Sequence, residues 1–273
     1  MPISKFQSDV LRLLAAQRSP DSYIAGGIPI NQQGPRYSAD IDIFHDSAAR
    51  QATAVQADEA ALAAADYTIT WPPNQHGGTH QASIEKDGER TELEWVTDSA
   101  FRFFPAQPDD LFGYVLHPVD LAANKASAAA DRRVPRDVVD LVTIHETILP
   151  LGAVVAAAAG KFPGTTPEEM LAEITRHSRF TADEFEVLAT DQPIDARALH
   201  RRIRRMIEDA EAFIATLPCE AVGVVFLDGD KPVQPDVTAL DKYRRNPGAT
   251  RGLWPTSPEI SRAMLERYGN PKA

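Results

Sequence analysis

Residues 23–44 read YIAGGIPINQQGPRYSADIDIF, and the fold turns on how the last seven of them are read. Ser38 to Phe44 has the alternation of a strand, which puts Asp40 and Asp42 on one face and Ile41 and Ile43 on the other. Two carboxylates a few ångströms apart repel unless water, a proton or a cation lies between them. Either that face of the strand is open to water, or both acids point into a site that uses paired oxygen ligands. Upstream, YIAGG is a short strand ended by Gly26 and Gly27, where missing side chains let the chain turn and a ligand approach closely. The prolines and Gly34 in GGIPINQQGPRYS break or shorten any helix that follows the glycines.

Downstream, a helix is expected over 50–65, then HQASIEKDGERTELEWV (80–96), a hairpin turning at Asp87–Gly88. Its second arm carries Glu92 and Glu94 on one face. Either could join the acidic pair; Glu94 is preferred because Leu93 and Trp95 anchor its strand on both sides. Residues 117–146 hold two helices. Pro118 and Asp120 suit the first start, and Pro135 opens the second, with Asp137 near its positive end as a cap or a site residue. An opening helix is expected over 5–17, from Phe6, Val10, Leu13 and Leu14.

After residue 150 the pattern turns mainly helical, with candidates at 151–159, 166–176, 181–189 and 195–215. AVGVVFLDGDKPVQPD (221–236) reads as a strand and turn, and a short helix is expected over 258–267. Arg201, Arg202, Arg204 and Arg205 lie on little more than one helical turn, either as a solvated face or as a phosphate-binding patch. With 28 Lys and Arg against 39 Asp and Glu, the net charge of -11 argues against a generally basic nucleic-acid binder but allows a local groove. One cysteine, Cys219, excludes an intrachain disulfide framework and a cysteine-rich metal site, and fits a reducing cytoplasm. The most apolar run, LGAVVAAAAG (151–160), is too short to span a bilayer, and MPISKFQSDV has no apolar signal core, so no membrane partner is expected.

GG followed by RYSADIDIF resembles the nucleotidyltransferase signature of the DNA polymerase beta superfamily. Lys125, Arg132 and RDVVDL (136–141) narrow the resemblance to AbiEii-type nucleotidyltransferases, a group that includes toxins of toxin–antitoxin and abortive-infection systems. The resemblance covers most of residues 20–146. It implies an α+β fold: a mixed-sheet catalytic core with flanking helices over 1–146, followed by a mainly helical acceptor- or partner-binding domain over 147–273. It further implies transfer of a nucleoside monophosphate from a nucleoside triphosphate, with Mg²⁺ or alternatively Mn²⁺, to an acceptor such as tRNA or other RNA. A cognate antitoxin is an implied partner, and DNA is not. By position, Asp40, Asp42 and Glu94 would hold metal, and Gly26 and Gly27 would approach the triphosphate. Arg36 and Ser38 would bind phosphate, Lys125 would meet phosphate charge, and Asp137 would orient nucleotide or acceptor. Two other functions stay open: a catalytically silent binding module of the same fold, and a metal-dependent phosphohydrolase using His76, His80 or His117.

Overall fold

The structure is a computed structural model that describes residues 3–32, 34–73, 78–162 and 164–250; the helix expected over 258–267 and His76 lie outside the described residues. The chain opens with α1 (Lys5–Leu14), started by a reciprocal cap in which Ser4 Oγ accepts from the Gln7 N–H and Gln7 Oε1 accepts from the Ser4 N–H. A 3₁₀ turn, Ala15–Gln17, completes the expected segment. Then come β1 (Ser22–Ala25), α2 (Gly27–Asn31), β2 (Asp40–His45), α3 (Ala48–Ala64), β3 (Thr68–Thr70), β4 (Thr79–Lys86) and β5 (Glu89–Thr97). Asp87 and Gly88 both have positive φ, as the tight turn between β4 and β5 requires. Short strands β6 (Phe101–Arg102), β7 (Gln107–Asp109) and β8 (Gly113–Val115) lead into α4 (Pro118–Asp131) and α5 (Pro135–Thr147).

Next are α6 (Leu151–Lys161), α7 (Pro167–His177), α8 (Ala182–Glu186) and α9 (Ala196–Ile214), then β9 (Val225–Asp228), β10 (Lys231–Val233), β11 (Arg244–Asn246) and β12 (Ala249–Thr250). The principal sheet is mixed and seven-stranded, in the order β3-β4-β5-β2-β1-β8-β7. The central β2 runs parallel to β5 and antiparallel to β1. On one face, Ile41, Ile43, Leu93 and Trp95 pack against Phe6, Val10 and Leu14 of α1 and Leu62 of α3. The other core runs without interruption from Tyr23 and Ala25 through α4 to α7 and α9, to Val225 and Leu227. The chain is thus an α+β fold with a mainly helical C-terminal part.

Helix α6 is apolar on every side because α4, α7 and α9 enclose it. Among the described residues no single helix is long and apolar enough to cross a membrane. Two elements are shorter than the sequence suggests, or as short as it demands. Helix α2 spans five residues, with Pro29 tolerated in its first turn. Helix α8 stops at Glu186, because the following segment turns to let Tyr37 N donate to Ala189 O at 2.8 Å.

Candidate active site

Parallel pairing sets Asp40 beside Glu92 and Asp42 beside Glu94, while Ala25 of β1 flanks Asp42 from the other side. Three of these acids, Asp40, Asp42 and Glu94, line one cleft of about 220 Å³. Glu92 does not line it; its carboxylate accepts from Arg90 at 2.7 Å. Burial, then the charges of Asp40 and Glu94, pushes the Asp42 carboxyl up to about 7. Burial and Asp40 also raise Glu94 above the usual carboxylate range. Asp40 is better supplied: Ser38 Oγ donates to Oδ1 at 2.9 Å, and Arg136 Nη1 lies 3.5 Å from Oδ2.

The paired glycines make room for these side chains. Gly26 has φ +68, and a Cβ on it would lie 1.7 Å from Asp42 Oδ2. A Cβ on Gly27 would lie 2.6 Å from Arg36 Nη2 and 2.9 Å from Ser38 Oγ. From behind the strand, Gln7 Nε2 donates to Ser38 O at 2.9 Å, so the α1 cap also holds the entry to β2.

Opposite the acids stands an ionic lattice built by α4 and α5. Lys125 Nζ lies 2.9 Å from Asp137 Oδ1 and 3.0 Å from Asp140 Oδ2. Asp140, wholly buried, also takes both arms of Arg36 at 2.7 and 2.6 Å and accepts from Asn31 Nδ2 at 2.7 Å. Asp137 accepts from Arg132 Nε at 2.8 Å. Burial by itself would raise both aspartates, but Lys125 and the guanidinium bonds outweigh it and hold both below their usual value. Burial likewise works against the Lys125 charge, and Asp140 and Asp137 overcome it, leaving its pKa raised. Lys125, Arg132, Arg136, Arg36 and Ser38 line the cleft, whereas Asp137 stands behind it and sets the positions of Lys125 and Arg132.

A two-sided cleft, acids on parallel strands facing a lysine and arginines from the next helices, matches a known pattern along most of the chain. The family profile described as the nucleotidyl transferase AbiEii toxin of type IV toxin–antitoxin systems matches residues 23–217. The chain belongs to this family. No curated protein matches this AbiEii-family chain. Among solved structures it is similar to MenT4, a nucleotidyltransferase toxin of Mycobacterium tuberculosis, at 14% identity and TM-score 0.52, over 79% of this chain and 84% of that one. A candidate nucleotidyltransferase from H. pylori is similar at 13% identity and TM-score 0.45, over 77% of this chain and 94% of that one. At such identities the first likeness speaks to the fold alone, and the second carries no argument.

The AbiEii-family cleft gathers Gly26, Gly27, Arg36, Ser38, Asp40, Asp42, Glu94 and Lys125, all singled out in the sequence. Arg136 and Asp140 were quoted there only as parts of RDVVDL, Asn31 only within the stretch after the glycines, and Asn124 not at all. The available signal was spacing: Asp137 and Asp140 are three residues apart on a helix and so share a face. His80 and His117, the two of the three candidate histidines that lie among the described residues, are elsewhere. His117 caps α4 with Nδ1 accepting from Val119 N at 3.2 Å, stacks on Phe104, and is pushed by burial down to about 4. His80 pairs across β4 with Trp95 and does not line the cleft.

Proposed function

We propose that this AbiEii-family chain moves a nucleoside monophosphate from a nucleoside triphosphate to an RNA acceptor, with Mg²⁺ or Mn²⁺, as the toxin of a toxin–antitoxin pair. The observation that carries this is the facing of Asp40, Asp42 and Glu94 by Lys125, Arg132 and Arg136 across one cleft. Among the described residues no group of three or more His, Cys, Asp or Glu is placed so as to hold a metal ion by itself. A Mg²⁺ site does not need one, since it takes one or two carboxylates and completes its shell with waters and phosphate oxygens. The donor set fits such an ion: Asp40, Asp42 and Glu94 offer hard oxygens, and Asp42 keeps its proton to about 7 because it is buried and because Asp40 and Glu94 repel a further charge. The bound ion would supply neutralisation of the triphosphate and a lowered pKa for the attacking hydroxyl.

The remaining work falls to the chain. Lys125 uses two of its donors on Asp137 and Asp140, which leaves a third for a phosphate oxygen in the cleft. Arg132 and Arg136 add forked donors for the same oxygens. Ser38 holds Asp40 in place, and the bare backbone at Gly26 and Gly27 leaves the acids room.

For the acceptor, we assign the helical part beginning at residue 147, and especially α9. Of the four clustered arginines, Arg202 bonds Glu146 at 2.6 Å and Arg205 lies 3.8 Å from Asp209. Arg201 and Arg204 are exposed and have no ion pair among the described residues; Arg204 shares a groove with Arg179, Phe180 and His200. Arg133, which follows the cleft-lining Arg132, reaches residues of that groove: its guanidinium donates to Arg179 O at 2.6 Å and lies 4.3 Å from the Phe180 ring centre. Unpaired guanidiniums in a chain of charge -11 suit RNA phosphates.

Incubation with each α-labelled ribonucleotide, Mg²⁺ and total RNA tests the reading. Nuclease-sensitive label is expected. Label removed by protease alone would reject the RNA acceptor, and bound nucleotide with no labelled product under any condition would favour a silent binding module.

A further inference from the structure

Beyond the acids the cleft changes character. Two residues along β2 and β5, on the same face as Asp42 and Glu94, are Phe44 and Val96, and α4 covers them with Leu121 and Asn124. Phe44, Val96 and Leu121 make this end largely apolar, so it suits a flat group with few polar atoms. Asn124 is its one amide, and that amide is fixed. Lys161 Nζ, arriving from the end of α6, lies 2.5 Å from Oδ1, and Asp98 Oδ2 lies 3.4 Å from Nδ2.

Chemistry leaves no freedom in that assignment. A lysine ammonium only donates, so the atom it meets is the amide oxygen; a carboxylate only accepts, so the other is the amide nitrogen. Lys161 and Asp98 also pair with each other at 3.2 Å, with the lysine side chain 1% exposed. With the lysine buried and Asp98 20% exposed, this ion pair is a costly way to fasten α6, which is already enclosed by apolar helices. What the pair does accomplish is to fix the orientation of the Asn124 amide, a residue that lines the cleft, with one of its two N–H groups spoken for by Asp98.

We infer that Asn124 reads a carbonyl oxygen on the base of the incoming nucleotide, between Phe44 and Leu121, with Lys161 and Asp98 as positioning residues. This rests on the nucleotidyltransferase reading above. At the position where guanine and uracil carry an oxygen, adenine and cytosine carry an amino group, and a fixed N–H donor accepts the first pair and opposes the second.

Titration calorimetry of the full chain with GTP, UTP, ATP and CTP in Mg²⁺, and with Mg²⁺–tripolyphosphate as a base-free control, tests this. GTP and UTP should bind about tenfold tighter than ATP and CTP, the worth of one hydrogen bond gained against one opposed. Asn124→Asp, which replaces the donor by an acceptor, should reverse the order. Lys161→Met, which frees the amide to turn, should bring the four affinities together. Tripolyphosphate should bind all three proteins alike, which shows that the phosphate end is intact. Equal affinity for the four nucleotides in the unaltered protein, or an order that Asn124→Asp leaves unchanged while tripolyphosphate still binds, would overturn the inference alone. Silence toward all four nucleotides and tripolyphosphate would overturn the transferase reading with it.

Discussion

Replacing Asp140 by Asn keeps the shape of the side chain and removes the charge on which the cationic side of the cleft depends. Asp140 is wholly buried and faces Arg36 through two bonds and Lys125 through one ion pair. In Asp140→Asn, Lys125 keeps Asp137 at 2.9 Å, so the stranded charge is chiefly that of Arg36, whose side chain is 3% exposed. An uncompensated buried charge costs about 3–5 kcal/mol; the partial cover from neighbouring acids places this one near 3 kcal/mol. For a chain of this size that lowers Tm by roughly 6–12 °C. Urea unfolding followed by far-ultraviolet circular dichroism should show a lower midpoint with an unchanged slope, and calorimetry the lower Tm. Removing both partners should cost less than removing one, so Arg36→Met combined with Asp140→Asn should be more stable than Asp140→Asn alone. A Tm within about 2 °C of the parent, or a double variant less stable than both singles, would refute the account of Asp140 as the neutralising centre.

Asp42→Asn should abolish transfer and yet stabilise the protein at pH 8. The folded state holds the Asp42 proton to about 7 and the unfolded chain releases it near 4, so stability falls as pH rises across that window and levels off above it. The variant should lack this slope when melting is followed from pH 4 to pH 8. Gly26→Ala combines a disfavoured backbone with a Cβ 1.7 Å from Asp42 Oδ2. It should lose roughly 1–3 kcal/mol in unfolding titrations and displace the carboxylate, with divalent-ion binding by calorimetry weakened more than stability. Arg201→Ala with Arg204→Ala should reduce labelling of RNA most at low salt and flatten its salt dependence, while leaving nucleotide affinity unchanged, as filter binding and calorimetry would measure.

Much of the fold was legible because its signals are local. Alternation exposed β2, the Asp-Gly pair marked the turn at 87–88 where both residues take positive φ, and Pro118 and Pro135 stand at the first turns of α4 and α5. The choice of Glu94 over Glu92 came from its flanking anchors, and strand register places Glu94 in the cleft while Arg90 holds Glu92. What stayed hidden depends on distant partners. Nothing in RDVVDL tells that Asp140 binds Arg36, and GG invites a ligand when the nearest groups are the protein's own Asp42 and Arg36. The early end of α8 was equally invisible, since its cause is Tyr37, far back along the chain.

The same distances impose an order in time. During synthesis Arg36, Ser38 and Asp40 emerge well before Asp140, which lies 104 positions after Arg36. Until then Arg36 lacks its principal counter-charge, and Lys125 lacks one of the two acids that hold it. The lip then waits for Ala189 to reach Tyr37. A nascent chain therefore carries the acids without the cationic wall, and the cleft closes only after most of the polypeptide has left the ribosome.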